Sequence, residues 1–392
     1  KVDLLHSTIK LTFDYSNLSG EYQEGEDGRA VSAGNMYRLN ISGLCSAQNY
    51  TYATSGFLDK TRLEEWISAN SAFIPQRSLE DTGGQKTYDL VWVKAAEGDD
   101  VQAIAKVERV PQERILCGAG ASELIYTYCE AVRPKRAMML APTFSEYAIA
   151  LQRTGCEIVR HTLAAEQNFD LQEDLLPRLS REGIDALFLC NPNNPTGRLI
   201  QGELLEKILL RCRERNIALF VDECFLSLSD GANDLTPFLP DVPQLFILKA
   251  FTKSYGMAGL RLGYGLCADK ELLQKMSAAA PPWTVSTPAQ AAGVAALKNA
   301  AFLAENRALI RAERPRLEEE LRKLGFWVCP SQVNYILFHG APDLHEKLMR
   351  RGMAIRNCAN FEGLAPGWYR VAVRRREENE QLIAAIKSVA EE

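Results

Sequence analysis

The sequence predicts an α/β protein: a mostly parallel central sheet flanked by helices, with a smaller α+β unit after it. Three observations predict this. From about residue 112, short apolar runs alternate with helical segments. The strand-like runs are continuously apolar, the pattern of strands buried on both faces. A Pro-Pro at 281–282 then closes that pattern and a different one begins.

The elements read in order. Arg114 to Cys117 is a strand and Ser122 to Val132 a helix. Ala137 to Leu140 is a strand, followed by a helix from Glu146 to Arg153. Ala186 to Cys190 is a strand and Glu203 to Arg215 a helix. Ile217 to Val221, Leu245 to Leu248 and Leu262 to Cys267 are further strands. After the Pro-Pro come helices over Pro288 to Asn299 and Leu303 to Leu324. Strands at Phe326 to Cys329, Tyr335 to Phe338 and Tyr369 to Val373 follow, with helices over Leu344 to Arg351 and Glu377 to Val389. The expected domains are 101–285 for the large α/β unit and 286–392 for the small one. Residues 1–100 form a segment expected to pack with the small unit and a subunit interface. That segment is rich in Gly, Ser, Asn and Tyr; it offers one amphipathic helix near Leu63 to Ala69 and a strand near Leu90 to Val93.

Composition excludes several classes. The 392 residues carry 45 Lys/Arg and 50 Asp/Glu, a net charge of -5. Residues 1 to 100 hold 9 basic and 15 acidic side chains, the remainder 36 and 35. An acidic N-terminal quarter is a poor reader of nucleic acid. The ten cysteines contain no C-x-x-C pair, and several lie in apolar runs such as Leu187-Phe188-Leu189-Cys190. This favours reduced thiols in a cytoplasmic protein over a disulfide framework or a zinc ribbon. The four histidines lack ligand spacing, so no metal is expected. No apolar stretch approaches 18 residues and no leader pattern opens the chain, so no membrane partner is expected.

Four constellations follow strands, where an open α/β sheet binds its ligand. Gly118-Ala119-Gly120-Ala121-Ser122-Glu123 opens a helix whose free N–H groups attract an anion; alone, it reads more readily as a tight turn. Cys190-Asn191-Pro192-Asn193-Asn194-Pro195-Thr196-Gly197 is a rigid loop able to hold an Asn amide toward a ligand, or a loop only. Val221-Asp222-Glu223 places a carboxylate at a buried strand end, where it needs a partner, though a structural cap reads as well. Phe251-Thr252-Lys253-Ser254, running on to Gly259-Leu260-Arg261-Leu262-Gly263-Tyr264, sets a lysine after an apolar strand with an arginine eight residues later. A desolvated lysine becomes a nucleophile toward carbonyls, and an arginine suits a phosphate.

Taken together, these stretches resemble the class I/II pyridoxal 5'-phosphate (PLP)-dependent aminotransferases of fold type I. The likeness covers about residues 111 to 390. Within that superfamily it is most similar to the group holding histidinol-phosphate aminotransferase and L-threonine O-3-phosphate decarboxylase. The resemblance implies a role for each residue. Lys253 forms the Schiff base with the cofactor and moves the Cα proton. Asp222 pairs with the pyridinium nitrogen, Asn194 meets the ring 3-oxygen, and Phe144 stacks on the ring. Ala121, Ser122, Thr252 and Arg261 hold the phosphate. Arg370, in Trp368-Tyr369-Arg370-Val371, clamps the substrate carboxylate, with Asn194 beside it. A homodimer with sites between subunits is also implied.

Departures from the pattern are visible. Phe225 stands three residues after Asp222 where the family often has Tyr, and Ala250 replaces a hydroxyl residue. The Arg-Tyr-Pro stretch that reaches the neighbouring subunit is not visible; Tyr50 or Tyr52 is a candidate replacement. Phe225, Thr252 and the run Ile355 to Leu364 lean toward decarboxylation of threonine phosphate. The prevalence of transaminases leans the other way. The sequence is read as an aminotransferase for a small L-amino acid or phosphorylated amino compound, with a keto acid co-substrate. Threonine-phosphate decarboxylation is the alternative, and a non-catalytic ligand-binding regulator the third reading.

Overall fold

A computed structural model gives the fold. It describes residues 99–229 and 234–390, and the backbone of five strands before them. The chain divides into two compact units, Lys1–Ala96 and Glu97–Glu392. The expected boundary at 100/101 falls inside helix α1 (Asp99–Glu108).

The first unit is a five-stranded antiparallel sheet of order β3-β2-β1-β5-β4. Its strands are β1 (Ser7–Asp14), β2 (Met36–Cys45), β3 (Tyr50–Asp59), β4 (Asp81–Thr82) and β5 (Gln85–Trp92). The strand expected near Leu90 overlaps β5. The expected helix near Leu63 lies outside the described residues.

The second unit is built on a seven-stranded sheet of order β6-β12-β11-β10-β9-β7-β8. These strands are β6 (Ile115–Gly118), β7 (Arg136–Ala141), β8 (Glu157–Thr162), β9 (Ala186–Cys190), β10 (Ala218–Asp222), β11 (Leu245–Ala250) and β12 (Gly263–Cys267). Only β12 runs antiparallel to its neighbours. Strand β9 is buried at every residue, because helices cover both faces and leave no side for water. Phe188, Phe220 and Phe246 lie side by side on β9, β10 and β11 and stack, with ring centroids 5.0 and 5.5 Å apart. Gly265 of β12 makes room for the last of them, since a Cβ there would meet Phe246 Cζ at 2.1 Å.

The smaller part carries a four-stranded sheet of order β13-β14-β16-β15. Its strands are β13 (Trp327–Val328), β14 (Tyr335–His339), β15 (Arg356–Asn357) and β16 (Trp368–Ala372). Along β16, Tyr369 and Val371 are buried against Leu317, Ile336 and Ile386. Strand alternation therefore turns Arg370 to the opposite face.

One buried charge cluster includes Glu223, the residue after Asp222, and Lys249 near the end of β11. Lys249 Nζ is 2.6 Å from Glu108, 3.3 Å from Asp234 and 3.6 Å from Glu223. Burial alone would lower Lys249; Glu223, Glu108 and Asp234 overcome it and hold the ammonium above its ordinary value. Burial pushes the Glu223 carboxyl up to about 8, against the pull of Lys249. The fold thus favours protonated Glu223. The stability this contributes is present below the ordinary carboxylate range and is lost as pH rises through about 8. Glu223→Gln, which mimics the protonated acid, is expected to match the parent protein at about pH 4, below the ordinary glutamate value. At pH 8.5 it should be the more stable of the two. Urea denaturation across that range checks this, and parallel profiles would refute it.

Candidate active site

The carboxyl ends of the parallel strands and the start of β12 share one edge of the sheet. Gly118 ends β6 opposite Gly263, which begins β12. A Cβ on Gly263 would sit 2.7 Å from Ala121 N, so only glycine lets β12 pass the start of helix α2 (Ala121–Val132). Gly120 takes φ +86, and a Cβ there would lie 2.6 Å from Arg261 Nη2. The guanidinium, the exposed helix N-terminus and a backbone without side chains thus converge into a cradle for an anion. Ala121 and Ser122 supply the first helical residues, and Glu123 closes the turn by accepting from Ala119 N at 2.6 Å. Arg261 also donates to Ala258 O at 3.1 Å. Thr252 is half-buried beside Lys253 on the single helical turn Phe251–Ser254.

The second group forms around Asp222, the last residue of β10. It is 6% exposed and receives Tyr147 Oη at 2.6 Å and Cys224 N at 2.9 Å. Burial pushes its carboxyl up, while Cys224, Tyr147 and Lys253 pull against that rise. Tyr147 stands on helix α3 (Glu146–Arg153), one turn after Phe144, whose ring meets it edge-on at 5.5 Å. Lys253 keeps an open side toward the cleft, and its Nζ lies 5.7 Å from the Phe225 ring centroid. Desolvation by the cleft walls, then Arg370 and Arg261, lower its pKa from the ordinary lysine value. That shift enlarges the share of neutral, nucleophilic amine.

Asn193 and Asn194 divide the work of their loop. Buried Asn193 accepts from Thr143 Oγ1 at 2.7 Å and donates to Pro142 O and Thr196 Oγ1, both at 3.0 Å. Its carbonyl takes the Tyr335 hydroxyl at 2.9 Å. Asn194 is thereby left to face the cleft, where its Oδ1 accepts from Arg370. Arg370 Cζ lies 5.0 Å over the Tyr335 ring, whose edge meets Phe225 at 5.0 Å.

A cavity of about 570 Å³ is lined by Lys253, Phe225, Asn334, Tyr335, Arg356 and Arg370. Arg356 and Arg370 are register partners across β15 and β16. Among the described residues, no cluster of His, Cys, Asp or Glu could hold a metal ion. No helix there is long and apolar enough to cross a membrane.

Ala121, Ser122, Phe144, Asn194, Asp222, Phe225, Thr252, Lys253 and Arg261 lie at this edge and Arg370 on the β16 face beside it, whereas Tyr50 and Tyr52 belong to strand β3 of the first unit. Sequence reading missed Tyr147, Tyr335 and Arg356 as members of the site. Tyr147 had a local signal, its one-turn spacing from Phe144. The other two depend on strand pairing in the small sheet.

Comparisons with known proteins fit this geometry. The family model for aminotransferase class I and II matches residues 55–386. Threonine-phosphate decarboxylase of Salmonella typhimurium is 38% identical over 292 residues, 74% of this chain and 80% of that protein. Histidinol-phosphate aminotransferase of Methanopyrus kandleri is 31% identical, over 73% of this chain and 74% of that one. The crystal structure of histidinol-phosphate aminotransferase from Clostridium acetobutylicum superposes with a TM-score of 0.71 at 28% identity. It covers 75% of this chain and 89% of that one. The mixed seven-stranded sheet with its smaller antiparallel partner is the fold type I arrangement. The chain belongs to the class I and II aminotransferase family of PLP-dependent enzymes.

Proposed function

We propose that the protein is a PLP-dependent decarboxylase of a small L-amino acid phosphorylated on its side chain, of the L-threonine O-3-phosphate type. The carrying observation is the pair Arg356 and Arg370, directly opposite each other on the wall of the Lys253 cavity. Like charges facing across a strand pair are destabilising. A substrate with both a carboxylate and a phosphate offsets that cost by giving each guanidinium its own anion. The 38% identity to a threonine-phosphate decarboxylase supports the same reading.

The residues present fit PLP. The Gly120–Arg261 cradle suits its phosphate, with Ala121, Ser122 and Thr252 as the remaining contacts. Buried Asp222 suits a protonated ring nitrogen, and Asn194, Phe144 and Phe225 would supply the ring contacts. Bound PLP supplies an electron sink for the pair left when a substrate Cα bond breaks. Arg370 holds the carboxylate, and Arg356 fixes the phosphate and so the rotation of the substrate about Cα. Lys253, whose amine is poised to gain or lose a proton, hands one to Cα after carbon dioxide leaves. Asp222 keeps its negative charge opposite the ring nitrogen throughout.

Transamination is the second reading and the one favoured by sequence alone. It is supported by 34% identity to histidinol-phosphate aminotransferase of Anaeromyxobacter. One assay separates the two. The enzyme is offered L-threonine phosphate, histidinol phosphate or aromatic amino acids, with and without 2-oxoglutarate. Carbon dioxide released without a keto acid is the expected result; glutamate formation would overturn the decarboxylase reading. The proposal includes a homodimer, and a fully active monomer in sedimentation would remove that part.

A further inference from the structure

We propose that Tyr147 is a positioning residue for the cofactor, acting through Asp222. The inference rests on the PLP reading above and concerns what keeps Asp222 charged. Asp222 is buried, and a buried carboxylate reverts to its neutral acid unless donors hold the charge. A neutral Asp222 could not hold a proton on the ring nitrogen. The Cys224 thiol bonds the carboxylate, and two further donors from this chain divide its two oxygens. Cys224 N serves Oδ1 at 2.9 Å, and the Tyr147 hydroxyl serves Oδ2 at 2.6 Å.

The two donors differ in kind. Cys224 N belongs to the backbone of the strand end and is fixed by the fold. Tyr147 comes from another helix, 75 residues away in sequence. Its ring is fully buried and clamped by Phe144, Phe188 and Phe220, with centroids 5.5, 6.0 and 5.9 Å distant. That clamp aims the hydroxyl and excludes water as a replacement donor. Burial and the neighbouring Asp222 push the phenol pKa well up, so the hydroxyl donates at every working pH. The side chain is thus a fixed neutral donor on the oxygen that Cys224 N does not serve.

The test uses the full chain, as the parent protein, Tyr147→Phe, Asp222→Asn and the double variant. PLP dissociation is measured by equilibrium dialysis. The pH midpoint of the bound cofactor's visible band is measured by absorbance. Tyr147→Phe is expected to bind PLP roughly tenfold more weakly, the loss typical of one hydrogen bond to a charged group. Its band midpoint should move upward, because a less positive ring repels the proton on the Lys253 nitrogen less. In the Asp222→Asn background the same change should alter neither quantity, since there is no charge left to support. Equal losses in both backgrounds, or none in either, would overturn the proposal. Tyr147→Met, which also lacks the hydroxyl, gives the same comparison where the Phe variant does not fold. Failure of both to fold assigns Tyr147 to the core and likewise overturns it. A parent protein that does not bind PLP is a separate result, refuting the cofactor reading itself.

Discussion

Lys253→Ala is expected to lower turnover by on the order of 10³-fold or more, since it removes both the nucleophile and the proton carrier. The effect should be confined to chemistry, with thermal unfolding little changed, because Lys253 keeps an open side to the cleft. A neighbouring lysine sharpens the test. Lys249 stands at the end of the same sheet, yet the carboxylates of Glu108 and Asp234 hold its ammonium charged. Lys253 has its pKa lowered and, among the described residues, no carboxylate in direct contact. Borohydride reduction of the holoenzyme followed by peptide mapping should therefore label Lys253 and leave Lys249 untouched. Label on Lys249, or an active Lys253→Ala protein, contradicts the assignment.

Arg356→Gln is expected to reduce kcat/KM for a phosphorylated amino acid by about 100-fold, within the range for one charge-assisted contact. It should act mainly through KM and spare unphosphorylated analogues. Arg370→Gln should instead impair every amino acid, because all carry the carboxylate. The two variants also differ from ordinary active-site changes in their stability. Each removes one of two like charges facing across β15 and β16 but also a hydrogen bond, Arg356 to Asn360 and Arg370 to Asn194, so the urea midpoint should change little in either. Equal losses on phosphorylated and plain substrates would assign Arg356 a structural role. A clear fall in stability would show that the lost hydrogen bond outweighs the relieved repulsion.

The large sheet and most of its loops were legible in the sequence because their causes are local. Ala186–Cys190 is apolar at every residue and emerges as a strand with those limits. Helix Glu146–Arg153 likewise follows from its own periodicity. Strand β8 was not read because it is a half-exposed edge carrying Glu157, Arg160 and His161. The short helix Leu175–Arg181 was hidden by Pro177 and by its brevity. In the first unit, Gly, Ser and Asn dilute the alternation of β2 and β3, so those strands left no clear period. In the site, Lys253, Asp222, Asn194 and Arg261 sit within recognisable local stretches. Tyr147 has no such stretch to place it, since its partner is distant in the chain. The facing of Arg356 and Arg370 is a matter of strand register, which no single window contains.

The reversed direction of β12 has a consequence for how the site tolerates change. Ala250, the last residue of β11, pairs with Gly263, the first of β12, so the segment Phe251 to Leu262 leaves and re-enters the sheet at neighbouring points. Lys253 lies near its departure and Arg261 near its return. The proposed grips on the cofactor's reactive carbon and on its phosphate therefore belong to one closed bight of chain. Their separation is a property of that bight alone. Insertions in any other loop leave the span unchanged, whereas one residue added between Met257 and Leu260 resets it. The bight is thus the natural segment to transplant whole between relatives, and the least suitable place to join two of them.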